Sequence, residues 1–385
     1  MRLVKVNSPD QERLFLQVAV ELYSSDIHWV RPLDDEINRI FSKKGNKLFE
    51  AGDACRWILY KEDNLIGRIA AFHSELSSFK EEFPLGGIGF FECVNNQEAG
   101  FLLFDTAKKW LQQEGMEAMD GPINFGERNA WWGCMVKGFF QPAYMMPYNP
   151  PYYQKFFEDY GFKLYFKQFT YGLNTTIVNL NKYEQRSLEI FQNTDYTFRH
   201  INNKEKQRNA QDFIDVYNAA WKEFPSFQGM KIDSAIKLLK KLNPILIDYL
   251  VWFGYYKGKA IAMFIMLPDL NEYFKYVNGK MNLIGKMKFL YHKIKGTNRR
   301  LTALIFGIAP EHRAMNVESG LIMTAKNQVI PKNRWDNLEM YWQGDFNPKI
   351  NKISENLGSE ITRIHHTYRY NFDSNRKFER HPILD

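Results

Sequence analysis

The stretch FGIAPEHRAMNVESGLI, residues 306–322, passes from an apolar run through a short polar turn into an amphipathic helix start. Successive backbone N–H groups at a helix N-terminus present unsatisfied donors and the positive end of the helix dipole, which is chemistry for holding an anion. The residues that would form such a cradle are Ile308, Ala309, Arg313, Ala314, Met315, Asn316, Val317 and Glu318. Asn316 tolerates the left-handed backbone that a tight turn demands. Glu318 works against an anion unless its carboxylate faces away or pairs with Arg313.

Other kinds of chemistry find less support. No GxSxG elbow occurs, and Cys55, Cys93 and Cys134 form an odd set without a CxxC pair, which argues against a disulfide framework or a zinc site. His365 and His366 are neighbours on a strand pattern and point to opposite faces, a poor geometry for one metal ion, and no metal is expected. GGIGFF precedes a strand instead of joining strand to helix, so it is not a dinucleotide fingerprint. A second unusual stretch is GFFQPAYMMPYNPPYYQKFFEDYGFK, residues 138–163, with four prolines among five tyrosines and two methionines. Proline keeps it from joining a sheet or helix. With the NFGERNAWWGCMVK before it, the segment supplies Trp131, Trp132, Tyr144, Met145, Tyr148 and Tyr152 as an apolar and aromatic wall for a substrate pocket.

The elements that must position these residues occur twice. Leu14, Phe15, Val18, Ala19 and Leu22 share one helix face, and Phe213, Val216, Tyr217, Ala220 and Trp221 repeat the spacing. Each helix precedes a hairpin pattern, CRWILYKEDNLIGRIAAF and YLVWFGYYKGKAIAMFIML, about 195 positions apart. Strand, helix, strand, short helix and closing strand follow in both halves. An internal duplication of this length predicts two like domains, 1–175 and 196–372, with 176–195 as linker, 373–385 as tail and a long aromatic loop over 122–152.

With 385 residues, 45% of them hydrophobic, the chain has material for a substantial core. Its formal net charge of +7 is concentrated in GKMNLIGKMKFLYHKIKGTNRR, 279–300, where Leu283, Met287, Leu290 and Ile294 share a face. That spacing predicts a helix with exposed lysines, either a solvated face or an anion-contact site, bordering the cofactor or acceptor entrance. No window of about 18 apolar residues and no apolar leader pattern is found, so a cytoplasmic protein is expected.

The repeated order resembles the GNAT superfamily of acyl-CoA-dependent N-acyltransferases, in tandem, over roughly 1–175 and 196–372. The resemblance implies an α/β (α+β) class, two GNAT-like domains, each a mixed, mostly antiparallel sheet flanked by helices. Residues 306–322 are similar to the family's strand, pyrophosphate loop and helix, [QR]-x-x-G-x-[GA], with Arg313 at the first position and Asn316 and Glu318 in place of the glycines. The spacing of Asn347 and Gly358 is similar to that of the last family helix, where an Asn contacts cofactor; Ser354 stands at the position of the tyrosine acid. Glu92 lies on the strand where many members carry the general base, and Glu339 and Asp345 are the carboxylates near the corresponding part of the second copy. The implied activity is transfer of an acetyl or longer acyl group from acyl-CoA, as cosubstrate, to a small-molecule amine by direct attack on the thioester. Nucleic acid and membrane are not expected partners. Two other readings stand beside it: a binding or regulatory protein on an inactive tandem scaffold, and an aminoacyl transferase using charged tRNA.

Overall fold

The computed structural model describes residues 1–76, 82–126, 128–177, 180–222 and 229–384. Local sequence accounts for the elements of the first half. After strand β1 (Arg2–Lys5), helix α1 (Pro9–Leu22) starts where the Ser8 side chain accepts from the Gln11 N–H and Pro9 needs no partner. Helix α2 (Asp34–Ile40) follows, then the hairpin of β2 (Gly52–Lys61) and β3 (Asn64–Ser74). Strand β4 (Leu85–Cys93), helix α3 (Gln97–Gln113), β5 (Ala118–Gly121), β6 (Cys134–Lys137), α4 (Tyr153–Tyr160) and β7 (Lys163–Asn174) complete it.

Between the copies, where a linker is expected, helix α5 (Asn181–Gln192) buries Tyr183 and Ile190. The second half runs β8 (Tyr196–His200), α6 (Lys206–Ala220), α7 (Ile232–Leu242), β9 (Val251–Tyr256), β10 (Lys259–Pro268), α8 (Asn271–Phe274) and α9 (Leu283–Lys295). Strand β11 (Arg300–Ile308), α10 (Val317–Val329), β12 (Asn337–Gly344), α11 (Pro348–Asn356) and β13 (Glu360–Asn371) close it. The duplicated order is therefore real. Helix α9 covers the basic segment, as its spacing predicts. The tail is docked: the His381 ring stacks 4.0 Å from Phe346, and the Leu384 N–H bonds to the Phe346 carbonyl.

One sheet runs through both copies in the order β1-β2-β3-β4-β5-β13-β7-β12-β11-β10-β9-β8, with β6 added beside β13. Each copy's closing strand is shared with the other. β13 pairs with β5 of the first copy, Tyr368 opposite Gly121, and β7 pairs with β12 of the second, Leu338 opposite Leu173. The two closing strands pair along nearly their whole length at the centre. In each copy one parallel pair splays. β4 and β5 are bonded only over Leu85–Gly87 and Ala118–Asp120, and β11 and β12 only over Arg300–Ala303 and Asn337–Met340. At the first splay Phe90 has φ +49° and the register shifts between Arg68 and Ala70. A Cβ on Gly89 would lie 1.7 Å from the Ile123 carbonyl oxygen, so only glycine fits that crossing.

The shared centre makes each half incomplete alone. A fragment 1–175 lacks the strand that covers β5, and is expected to show no cooperative unfolding transition and little slow amide exchange. Co-expression with 176–385 should restore both, as followed by hydrogen exchange and urea titration.

Candidate active site

The aromatic loop closes over the sheet where the two halves meet. Gln168 and Thr170 of β7, Tyr341 and Trp342 of β12 and His365 of β13 line a cavity together with Trp131, Trp132, Met145, Met146 and Pro147. Its volume is about 20 Å³, room for about one water molecule. Trp131 and Met145 hold left-handed backbone, φ +46° and +63°, and the Trp131 N–H donates to the Met145 carbonyl at 2.7 Å. Bulky residues with positive φ are costly and cluster at functional sites. Gly133, φ +102°, passes so near that a Cβ would sit 2.3 Å from Gln168 Oε1.

Thr170 and His365 are two of the polar groups that line this cavity. The Thr170 hydroxyl is buried and has no hydrogen-bond partner among the described residues. His365 is 3% exposed, its Nε2 lies 3.3 Å from the Pro147 carbonyl, and burial, with Arg363 beside it, pushes its pKa down to about 3. It is a neutral imidazole at pH 7. His366 faces the other side of the strand, against Tyr368, and burial holds it neutral as well, at about 4.

A buried ionic cluster holds the loop in place. Arg363, 0% exposed, sits 2.8 Å from Glu339, donates to the Gln141 carbonyl and lies 3.7 Å from the centre of the Phe140 ring. Arg300 bonds Asp269 at 2.8 Å, approaches Glu339 at 3.5 Å and donates to the carbonyls of Gln141 and Pro142. Asp269 accepts the Tyr144 N–H, the Tyr144 hydroxyl bonds Glu36, and the Tyr341 hydroxyl donates to the Tyr144 carbonyl. Glu339 is therefore an anchor shared by two arginines. Asp345 accepts the Lys167 N–H and pairs with Arg380 of the tail.

Glu92 is sealed in a third network. It accepts from the Tyr23 hydroxyl at 2.6 Å and the Tyr153 hydroxyl at 3.0 Å, with Arg68 at 3.5 Å; burial raises its pKa. The backbone beyond it, which the splay would leave open, is taken by the protein itself. The Cys93 N–H donates to the Tyr153 hydroxyl at 2.6 Å, and the Tyr152 hydroxyl donates to the Cys93 carbonyl at 2.8 Å. Tyr148 bonds Asp26. Of the six aromatic and methionine residues expected to form a wall, Trp131, Trp132 and Met145 line the cavity; Tyr144, Tyr148 and Tyr152 fasten the loop around it.

At the second splay the loop expected to hold an anion, 308–318, lies outside the cavity. Asn316 adopts φ +57° ahead of α10, and the N–H groups of Ala314, Asn316, Val317 and Glu318 make no hydrogen bond among the described residues. Arg313 donates to the carbonyls of Ile308 and Ala220. This arrangement fits a diphosphate by its donors, against the opposition of two carboxylates: Glu189 accepts from the Asn316 side chain, and one Glu318 oxygen is buried without a partner among the described residues. Asn347 caps α11 by accepting the Ile350 N–H, and Ser354 is buried against Gln343. Ser354 is thus no exposed proton donor.

Three comparisons bear on this geometry. A GCN5-related glucosamine N-acetyltransferase region of a fungal multi-domain beta-N-acetylglucosaminidase superposes with a TM-score of 0.54 at 12% identity; the match covers 96% of this chain and 38% of that one. A tandem GNAT protein from the clavulanic acid biosynthesis pathway superposes over 97% of this chain and 99% of its own, with a TM-score of 0.53 and 8% identity. The chain has a tandem GNAT fold. No family model matches the sequence. Among curated proteins, the bacterial ceramide synthase of Caulobacter vibrioides is 23% identical over 374 residues, 96% of this chain and 97% of the relative. Protein YghO of Escherichia coli is 23% identical over 370 residues, 92% of each. Fold and relatives' names together point to an acyltransferase.

His365 is the residue that sequence reasoning passed over. Its signal is nevertheless present: Arg363, His365, Thr367 and Arg369 alternate along one strand, and all four are buried. Polar residues on the inward period of a central strand mark a buried polar site. A histidine whose folded pKa lies below its unfolded value takes up its proton in the unfolded state first, so stability falls as pH drops from about 6.5 toward 3. Replacing His365 with Gln should reduce the slope of unfolding free energy against pH between 6 and 4 by up to about 1.4 kcal/mol per pH unit, measured by urea titration at each pH.

Proposed function

We propose that this protein is an N-acyltransferase that forms an amide between a long acyl chain and the amine of a long-chain amino alcohol, the bond that a ceramide contains. The observation that carries this reading is the end-to-end correspondence with the Caulobacter ceramide synthase, 96% of one chain and 97% of the other. The site supports it. Tryptophans and methionines at the junction of the copies suit alkyl chains, and Thr170 and His365 supply the few polar groups that orient a reacting amide.

When bound, an acyl thioester such as acyl-CoA supplies the electrophilic carbonyl carbon. We assign its diphosphate to the loop Ile308–Glu318 with Arg313 alongside. The amine nitrogen bonds to the carbonyl carbon, the C–S bond breaks, and the thiolate leaves with a proton. Neutral His365 takes the one proton that the nitrogen loses and returns it to the thiolate, which leaves as the thiol. Nitrogen bonded to the former carbonyl carbon is more acidic than a free ammonium, which eases proton transfer to a weakly basic imidazole. The narrow cavity means that the loop from Arg128 to Pro147 must shift to admit chains, and its two left-handed residues lie where that shift would occur.

A second reading, an acyl-ligand-binding scaffold without turnover, is favoured by one observation: Tyr152 and Tyr153 occupy the backbone groups of the first splay. Incubation with acyl-CoAs of graded length and a long-chain amino alcohol separates the two, with the amide read by mass spectrometry. Product is expected, and His365→Gln should lower kcat by roughly 10²- to 10⁴-fold while the protein remains folded. Ligand-induced stabilisation with no amide at any chain length would favour the scaffold. Removing the opposing charge by Glu318→Gln should tighten CoA binding by at least about fivefold, the equivalent of ~1 kcal/mol for two charges about 4 Å apart even at the dielectric of water, in a calorimetric titration. Unchanged affinity would place the diphosphate elsewhere.

A further inference from the structure

Helix α9 presents its apolar side to solvent. Leu283 is 74% exposed and Ile294 78%, and Ile284, Met287, Leu290 and Tyr291 are each more than half exposed. At 3.6 residues per turn these six span an arc of about 120°. The opposite side carries Gly285, which is buried, and Phe289, which packs with Tyr144 and Phe274 in the cluster beside the aromatic loop. Lys286 and Lys293 flank the outer arc on one side, Lys288 and Lys295 on the other. No aspartate or glutamate occurs between Glu272 and Glu311. Lys293 reaches the Pro244 carbonyl, just beyond α7, whose last turn adds Lys240 and Lys241.

Next to the start of α9 is a hollow of about 210 Å³ lined by Arg31, Lys280 and Lys288 with Asn278 and Asn282. Arg31 pairs with Asp34; the two lysines have no carboxylate partner among the described residues.

We infer that α9 docks this protein on an anionic phospholipid surface, its apolar arc among the acyl chains, its lysines at the headgroup level and a headgroup phosphate in the hollow. An apolar arc between two rows of lysine is the pattern of a helix lying in a membrane interface. Charge selects the occupant. A second copy of the chain would bring the same lysine rows against these, whereas anionic lipid neutralises them. The lack of a long apolar window bears on spanning a bilayer and leaves lying upon one open. Since the opposite side of α9 shares a packing cluster with Tyr144, the docked helix lies over the segment that carries the aromatic loop. The docking stands independently of the amide-forming reading.

Co-sedimentation of the full-length chain with vesicles tests it. Phosphatidylcholine vesicles containing about one-third phosphatidylglycerol should retain the protein, and phosphatidylcholine alone should retain little. Lys286→Gln and Lys288→Gln should each lower the partition coefficient about fivefold, the ratio expected for a basic residue near the surface, and flatten its salt dependence. The triple change Leu283→Gln, Leu290→Gln, Ile294→Gln should abolish retention with an unchanged thermal midpoint. Failure of the wild-type protein to bind either vesicle overturns the proposal. So does equal binding by the triple variant, or a dimer in sedimentation equilibrium that the triple variant dissociates.

Discussion

The guanidinium of Arg363 has no contact with water, and a charge so placed persists only if the protein surrounds it with opposite charge and acceptors. It is carried by β13, the closing strand of the second copy lodged at the centre of the sheet. Its partners come from different parts of the chain: Glu339 on β12, the Gln141 carbonyl and the Phe140 ring in the aromatic loop. Those contacts hold β12, β13 and the aromatic loop in one arrangement around the charge. Removing one member of a buried pair of this kind costs about 3–5 kcal/mol.

The same constraint explains which polar residues are free for chemistry. A carboxylate on a strand must be compensated when buried, and Glu92 and Glu339 are compensated by tyrosines with Arg68 and by two arginines, while half-buried Asp345, just past β12, takes a backbone N–H and Arg380. A neutral imidazole needs no counter-charge. His365 can line an apolar cavity at small cost, and burial keeps it neutral there.

The two copies have diverged in what fills their splayed strands. In the first, the long loop returns Tyr152 and Tyr153 to the backbone of β4, so the opening is closed from within. In the second, four N–H groups at the start of α10 make no hydrogen bond among the described residues, and the extra residues went into α8 and α9 instead. Both additions meet in one small cluster of Tyr144, Phe274 and Phe289, which links the loop over the cavity to the exposed basic helix.

Much of this was legible in the sequence. The helix faces, the hairpins, the duplication, the basic helix and the loop's refusal to join the sheet follow from side-chain periodicity and proline geometry, which are local. Trp131, Trp132 and Met145 could be placed at a wall because large apolar side chains in a stiff segment must be covered. What the sequence could not decide is which strand lies beside which: the alternation in KLYFKQFTYGL and EITRIHHTYRYNF is the same whether each strand returns to its own copy or crosses to the other. The exchange, the contact of Arg363 with the Gln141 carbonyl and the meeting of His365 with Thr170 all depend on that pairing. They are set by contacts between residues roughly 200 positions apart, and a single sequence records the period of a strand but not its neighbour.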